Sequence, residues 1–453
     1  MMMKKYIQTA FLFFLFLLPF QTVYLLREPF IEGVKWQYGT IGIYISDLLL
    51  VSIFISFIVQ KFFQKYTNKD WENIVLNFVP SPAHPVSIIL YQSSLILLVT
   101  WSFLSIFWAG ETWLALSTSF VLLLATGLFF FVRALPREYI KRIVFVLLFS
   151  GVVQSGIGIA QFLYQQSIDS SLFGMSSHVA YEAGSSVLKI DSGRFLRAYG
   201  TFSHPNILGL YLGVILVLGA SYYVFLSTFE KTFRKARERM FLLASLLVIF
   251  LGLILTFSRS AWLGVLFGMM VISVGIFLQK EKGVRMRFLK ILFVFLLASL
   301  VFGTLLSQQI FPRFDAITID REGSITERVQ SLHDAGIIIG EGNILLGTGI
   351  GNFTAQMIHF QPERPVWSIQ PAHNVFVLIL AELGVVGCML FLFFLFSVVM
   401  YIFTSLKDID HTSLFFTCAL MTIIPSLFLD HFLWSSHFGL LFLFFLFGMV
   451  SRR

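Results

Sequence analysis

Charge is what this chain has least of. Only 12% of its 453 residues are Asp, Glu, Lys or Arg, against 57% hydrophobic, where an ordinary soluble domain carries roughly a quarter charged residues. A soluble core cannot absorb that much apolar surface, so a water-soluble globule is excluded. Cysteine is scarce too: Cys388 and Cys418 are the two present. Both lie inside apolar runs without metal-ligand spacing, which argues against a disulfide framework or a zinc site. Common catalytic signatures are missing as well. There is no GxxxxGK[ST] phosphate loop, no HExxH and no GxSxG, so nucleotide hydrolysis, zinc proteolysis and serine hydrolysis lack their residues. The formal charge of +8 does not point to nucleic acid, because the basic residues sit in short clusters between apolar runs, as membrane topology requires.

Apolar runs are what the chain has in abundance. They predict membrane spans near residues 6–26, 41–60, 86–108, 112–132, 143–164 and 205–227, and again near 240–257, 260–278, 291–306, 374–404, 413–429 and 433–450. The first is long enough to cross a hydrocarbon layer of roughly 30 Å. It follows a short basic lead, Met1 to Lys5, and has no small-residue cleavage site, so it reads as a retained span rather than a removed leader. With the N-terminus inside, alternation puts 22 of the 32 basic residues in cytoplasmic loops and termini, the asymmetry that orients membrane proteins. They are Lys4 and Lys5, and the clusters Lys61 to Lys69, Arg133 to Arg142, Lys231 to Arg239 and Lys280 to Lys290, with Lys407, Arg452 and Arg453. The other ten are Arg27, Lys35, Lys189, Arg194, Arg197, Arg259, Arg313, Arg321, Arg328 and Arg364. Arginine dominates that outer set, and its planar fork grips phosphate oxygens in a bidentate way that lysine cannot.

The expectation is an all-α polytopic membrane protein of about twelve helices, one integral membrane domain over residues 1–453, with both termini cytoplasmic. Two outer loops have some size, 165–204 and 307–373, and together form a helical extracytoplasmic region. In the second, Ser324 and Glu327 have capping-box spacing ahead of a helix that ends in the glycine-rich EGNILLGTGIGNF.

Four polar clusters fall at the outer ends of spans. RFLRAYGTFSHPN carries Arg194, Arg197, His204 and Asn206 ahead of the sixth span. TFSRSAWLG interrupts 38 residues of apolar chain from Phe241 to Leu278. One helix of that length would reach about 57 Å at 1.5 Å per residue, nearly twice the hydrocarbon thickness. The chain must turn back there, leaving Arg259 near the outer interface, where an ionisable side chain either marks a functional site or snorkels to lipid headgroups. QPAHNVFVLILAELGVVG opens the tenth span with Pro371, His373 and Asn374 and holds Glu382 within it. Nine residues on from His373, Glu382 lies about 180° around a helix, so the two share no face unless the helix is broken, and Glu382 reads as structural. LDHFLW closes the eleventh span with Asp430 and His431, positions that suit a helix-end cap. No outer Asp-x-Asp pair offers a divalent-ion site. What remains is an outer anion site beside a base; a lone interfacial histidine bonded to a loop carbonyl is the alternative.

These segments resemble the O-antigen ligase and polymerase superfamily of bacterial membrane glycosyltransferases. The likeness lies in GTFSHPN after Arg197, in TFSRSAWLG, in the stretch from Arg328 to NILLGTGIGNF, in AHNVFVLILAELGVVG and in DHFLW, in family order over roughly residues 85 to 450. Ile344 departs from it, standing where such proteins often have proline. The resemblance implies transfer of a glycan from undecaprenyl pyrophosphate to an acceptor hydroxyl on the outer face of a bacterial inner membrane, with inversion and without metal or other cofactor. It implies His373 as the group that activates the acceptor and Arg197, Arg259 and Arg328 as ligands of the pyrophosphate; from the polar clusters themselves, His204, Asn206, Asn374, Glu382 and Asp430 are expected in support. The expected partners are the lipid-linked donor, a glycan or lipid acceptor and the surrounding membrane lipids, with no nucleic acid. A ligase that moves a finished glycan and a polymerase that joins repeat units need the same donor site, so both stay open. The readings from other classes are a transporter, which would gather polar groups at the midplane of repeated, broken helices, and a scaffold whose arginines bind lipid headgroups.

Overall fold

The computed structural model describes residues 2–67, 85–182, 184–225, 236–278, 282–314, 324–405 and 411–452. It is 73% helical with little sheet, and nine helices among the described residues are long and apolar enough to cross a membrane. The chain is an all-α polytopic membrane protein. Three further apolar helices are shorter, Lys5–Leu17, Leu414–Leu429 and His437–Val450, and the expected count of twelve depends on them. Of the basic residues that set the expected orientation, Lys69, Lys231, Arg234, Lys235, Lys280, Arg321, Lys407 and Arg453 lie outside the described residues.

Helix α1 (Met2–Leu17) ends well before residue 26. Pro19 follows it and cannot donate to a helical ladder. The segment Val23–Arg27, apolar up to Leu26, instead pairs as an antiparallel strand with Ile41–Tyr44. Next come α2 (Ile45–Thr67), α3 (Pro85–Leu104), α4 (Thr112–Arg133) and α5 (Ile140–Tyr164). The loop at 165–204 departs from the helical expectation. Among its described residues, short hairpins pair Gln166–Ser167 with His178–Val179 and Val187–Ile190 with Gly193–Leu196. Helix α6 (Pro205–Phe225) is buried along its whole length because α5, α7 (Ala236–Leu255), α8 (Arg259–Leu278) and α9 (Lys282–Leu305) all pack on it. The fold-back expected at TFSRS is the turn between α7 and α8. Helix α9 begins well before residue 291 and carries its basic residues on the helix itself.

The 307–373 loop is helical, with α10 (Ser324–Glu341) starting at the capping-box serine and α11 (Phe353–Phe360) following the glycine-rich stretch. Helix α12 (Val375–Ser405) is kinked at Gly384, whose φ is +66°. The last runs give α13 (His411–Met421), α14 (Ile424–Leu429), α15 (Phe432–Ser435) and α16 (His437–Val450). The break between α13 and α14 seats on α8: a Cβ added to Gly264 would lie 2.2 Å from Thr422 O, the small-residue packing that brings helices together in lipid.

The two ends of the bundle differ. At one, Arg133 Nε donates to Ser451 O (3.1 Å), Arg287 Nε to Val224 O (2.8 Å) and Arg452 Nη2 to Leu135 O. Each guanidinium meets a carbonyl near a helix C-terminus, where unpaired acceptors and the negative end of the dipole favour it. The other end gathers both large loops, the α7–α8 turn and residues 430–436. There Ala198 N donates to Leu255 O (2.9 Å) and Arg328 Nε to Leu429 O (3.1 Å).

Candidate functional site

Asn374 caps α12: its Oδ1 accepts from Phe376 N (3.0 Å) and Val377 N (3.1 Å), satisfying amides that a helix start leaves unpaired. The cap fixes His373 just outside the helix, and Ser331 Oγ of α10 anchors it by accepting from His373 N at 3.1 Å. The imidazole is largely buried, with Nε2 3.1 Å from Gln370 Oε1 and Nδ1 facing Asp430 Oδ1 at 3.6 Å, slightly beyond hydrogen-bond length. Asp430, buried at the end of α14, accepts at Oδ2 from Ser260 Oγ of α8 (3.3 Å). Burial opposes its charge, but the facing His373 ring, Arg328 and His204 outweigh this and hold its carboxyl below the ordinary aspartate value. Asp430 is therefore an anion set between the α7–α8 turn and the histidine.

Two more histidines stand beside this pair as neutral groups. Burial, reinforced by the neighbouring His373, pushes His431 down to about 3; burial, reinforced by Arg197, pushes His204 down to about 3. His431 meets His373 edge-on with ring centres 4.9 Å apart, and Tyr38 meets His431 edge-on at 6.0 Å. Burial and then the charge of Glu327 raise the Tyr38 phenol, so it stays a neutral donor. His204 has a local duty: its Nδ1 accepts from Asn206 N (3.1 Å) at the start of α6.

The α7–α8 turn collects three arginines. Phe257 sits at φ +50°, a left-handed conformation costly for a residue with a large side chain. Arg197 Nε donates to Thr256 O (2.7 Å) and Arg313 Nη2 to Phe257 O (2.9 Å), so two guanidinia cap the carbonyl end of α7 and hold the strained turn. Arg259 opens α8, partly exposed, with Nη1 3.3 Å from Arg313 O. Arg197 also donates to Ser186 Oγ (2.9 Å) and Asn206 Oδ1 (2.7 Å). Each nitrogen of its fork thus meets a protein acceptor, and it ties the 165–204 loop to the start of α6 and to the turn. Arg328 lies at the other side, against Asp430. Ser260, next to Arg259, bridges the two.

Glu382 serves a different junction. It is buried and accepts from Trp434 Nε1 at 3.1 Å, with the backbone of Gly351 and Phe353 also against its carboxyl. The kink at Gly384 frees carbonyls of α12, and the glycine-rich loop fills them: Thr348 N donates to Ala381 O (3.0 Å) and Gly349 N to Glu382 O (2.8 Å). Gly347, at φ +72°, approaches so closely that a Cβ there would lie 2.4 Å from Glu382 O. Only glycine fits, and NILLGTGIGNF is a brace on α12. Arg364, another of the arginines expected on the outer side, is bound to buried Asp334 at 2.8 and 2.9 Å, locking α10 to the loop after α11.

Sequence reasoning passed over Ser260, Arg313 and Tyr38 as site residues. The first two left a signal, a polar neighbour of Arg259 inside an apolar turn and an arginine soon after a span. Tyr38 left none, because only tertiary packing brings it to His431.

Residues 243–392 match the family model described as O-antigen ligase. The matched stretch holds the α7–α8 turn with Arg259, Arg313, Arg328, His373 and Glu382; Arg197, His204 and Asn206 precede it and Asp430 follows it. No curated protein matches the chain. The match supports the O-antigen ligase superfamily, and with it a glycosyltransferase-like role in polysaccharide assembly: a membrane enzyme of ligase or polymerase type acting on lipid-linked glycans.

Proposed function

We propose, from the likeness to O-antigen ligase and the facing of His373 and Asp430 beside the arginine turn, that this chain moves a glycan from undecaprenyl pyrophosphate to an acceptor hydroxyl at the extracytoplasmic face of a bacterial inner membrane. The His373–Asp430 pair is the main support. In a neutral ring with Nδ1–H toward Asp430, Nε2 presents a lone pair. The Gln370 amide fits equally well turned about, donating to that nitrogen, and the acceptor hydroxyl takes its place. As the hydroxyl oxygen attacks the anomeric carbon, its proton passes to Nε2. The anomeric C–O bond breaks and undecaprenyl pyrophosphate leaves with the bonding electron pair. Attack and departure on opposite faces invert the anomeric centre.

Asp430 orients the ring and stabilises the imidazolium as it forms. Arg259 and Arg328 take up the charge that grows on the departing diphosphate, and Arg197 holds the turn that presents Arg259. His204, Asn206 and Asn374 fix helix starts around the site, and Glu382 fixes the kink of α12. Transfer to a separate acceptor is preferred to the joining of repeat units because the matched family is described as a ligase.

The test separates donor binding from single-turnover transfer in nanodiscs, supplying a separate glycolipid acceptor and, in parallel, donor alone. His373→Ala should slow transfer by roughly 10² to 10⁴-fold and leave donor binding nearly intact. Arg259→Lys keeps the charge but loses the fork, so it should weaken both. Lost binding with an unchanged saturated rate in His373→Ala would remove the histidine from proton transfer, and product formed from donor alone would make the enzyme a polymerase.

A further inference from the structure

On the flank of the bundle, α5 and α7 pack side by side yet leave a groove of about 320 Å³. Leu148, Leu242 and Ser245 form its buried floor, and Phe149, Phe241 and Ala244 its exposed walls. The lining has one hydroxyl, Ser245 Oγ, and it is turned back to Phe241 O of its own helix at 2.9 Å. The hydroxyl's hydrogen is thus already used, and the rest of the lining side chains are apolar. Its two helices begin at the same rim. Lys141 and Arg142 stand about one turn ahead of the groove on α5 and Arg239 stands just ahead of it on α7, all exposed. Arg137 and Glu138, just ahead of α5, and Glu238 on α7 are exposed as well, so among the described side chains four cations and two carboxylates stand at this rim.

An apolar trough with a cationic rim complements an amphiphile that has an anionic head and an acyl chain. A peptide or a sugar would leave polar groups unbonded there. The donor lipid does not fit either, because its diphosphate belongs with the arginines at the α7–α8 turn. From Arg239 to Thr256 is about 25 Å of helix at 1.5 Å per residue. We propose that the groove is a site for an anionic phospholipid of the membrane, its acyl chain along α5 and α7 and its phosphate at Lys141, Arg142 and Arg239. The site is separate from the transfer centre, and excluding the donor lipid from it rests on the function proposed above.

Native mass spectrometry on the purified full-length protein tests this, with phosphatidylglycerol and phosphatidylcholine of identical chains supplied in equal amounts. The unaltered protein should retain phosphatidylglycerol preferentially. The triple variant Lys141→Gln, Arg142→Gln, Arg239→Gln, altered only at exposed positions, should lose that preference by about fivefold per charge, since a basic residue near a lipid surface is worth about 1 kcal/mol. Ala244→Trp, also at an exposed position, fills the groove and should remove one tightly held lipid. Equal retention of both lipids by the unaltered protein overturns the proposal. A preference that survives the triple variant overturns it too, as does undiminished lipid retention by Ala244→Trp.

Discussion

Asp430→Asn keeps the shape of the side chain and leaves an oxygen for Ser260 while removing the charge that faces His373. In the proposed transfer His373 takes the acceptor proton and becomes a cation 3.6 Å from Asp430 Oδ1. At an effective dielectric near 20, two unit charges at that separation attract by about 4.6 kcal/mol. Because this attraction arises only as the proton moves, its loss falls on the barrier, and the saturated transfer rate should drop by roughly 10³-fold. The amide can also turn its NH₂ toward Nδ1 and impose the wrong tautomer, which deepens the effect. Donor affinity should hold within a few fold, and any change should be toward tighter binding, because Arg328 loses a nearby countercharge. Ser260→Ala supplies a graded check: it removes a long hydrogen bond to the carboxylate, 3.3 Å, and should cost about tenfold in rate, the lower end for bonds to charged groups. Rapid-quench single turnovers in nanodiscs with a labelled lipid-linked glycan give the rate, and a separate titration gives donor affinity. An Asp430→Asn protein that transfers at the normal rate, or one that loses binding and rate in equal measure, refutes the pairing.

A reporter fused after Lys282 should score cytoplasmic and one inserted near Glu341 should score outside; the reverse at either position would overturn the sidedness on which the proposed chemistry depends. His204 titrates near 3 in the folded protein against an ordinary value of 6.5, so the unfolded chain binds the proton first. The stability this gives is fully present above pH 6.5 and is lost as pH falls toward 3, about 2 kcal/mol of it by pH 5. His431 shifts in the same direction, so melting in detergent should move down between pH 6.5 and 5, with His204→Gln flattening the trend and a flat profile in the unaltered protein counting against neutral burial. Gly347→Ala should lower the melting temperature by several degrees, since a left-handed alanine costs about 1 to 2 kcal/mol and its Cβ meets Glu382 O at 2.4 Å. Gly336→Ala in α10, where a Cβ meets nothing within 4 Å, is the matched control and should be neutral or stabilising.

The fold-back at Arg259 was legible because arithmetic alone forbids a single helix through 38 apolar residues. The end of α1 was less so. Hydropathy does not distinguish a helix that continues through Val23 to Leu26 from a hairpin strand of the same residues, and Pro19 was the one local signal of the break. For the site, residue type and loop alternation sufficed to bring His373 and the outer arginines to one end of the chain's topology. The placement of Asp430 was not readable, since a local pattern offers only a helix-end cap, whereas its contacts with His373 and Ser260 cross three helices. His373 lies just outside α12, so its nine-residue spacing from Glu382 is not a helical angle. What covers Glu382, a glycine loop docked on a kink, depends on packing between segments that have no shared periodicity. Arg197 shows the same gap from the other side: its chemistry suits an anion, but the sequence does not reveal how many protein carbonyls and hydroxyls its fork already meets.

The kink at Gly384 divides α12 into two unequal pieces. Val375 to Leu383 is held by its own cap, by the glycine loop and by Trp101 of α3, whose Nε1 donates to Leu383 O (2.9 Å), while the longer piece keeps one bond to that loop, Val385 N to Ile344 O (2.9 Å). Bilayers that are thinner or thicker than a helix make it lean to match. With a joint below the histidine, the longer piece can change its inclination while His373 and Asp430 keep their spacing. Turnover should then be nearly indifferent to lipid chain length across bilayers that measurably alter helix tilt, so that one active centre serves membranes whose thickness shifts with growth temperature.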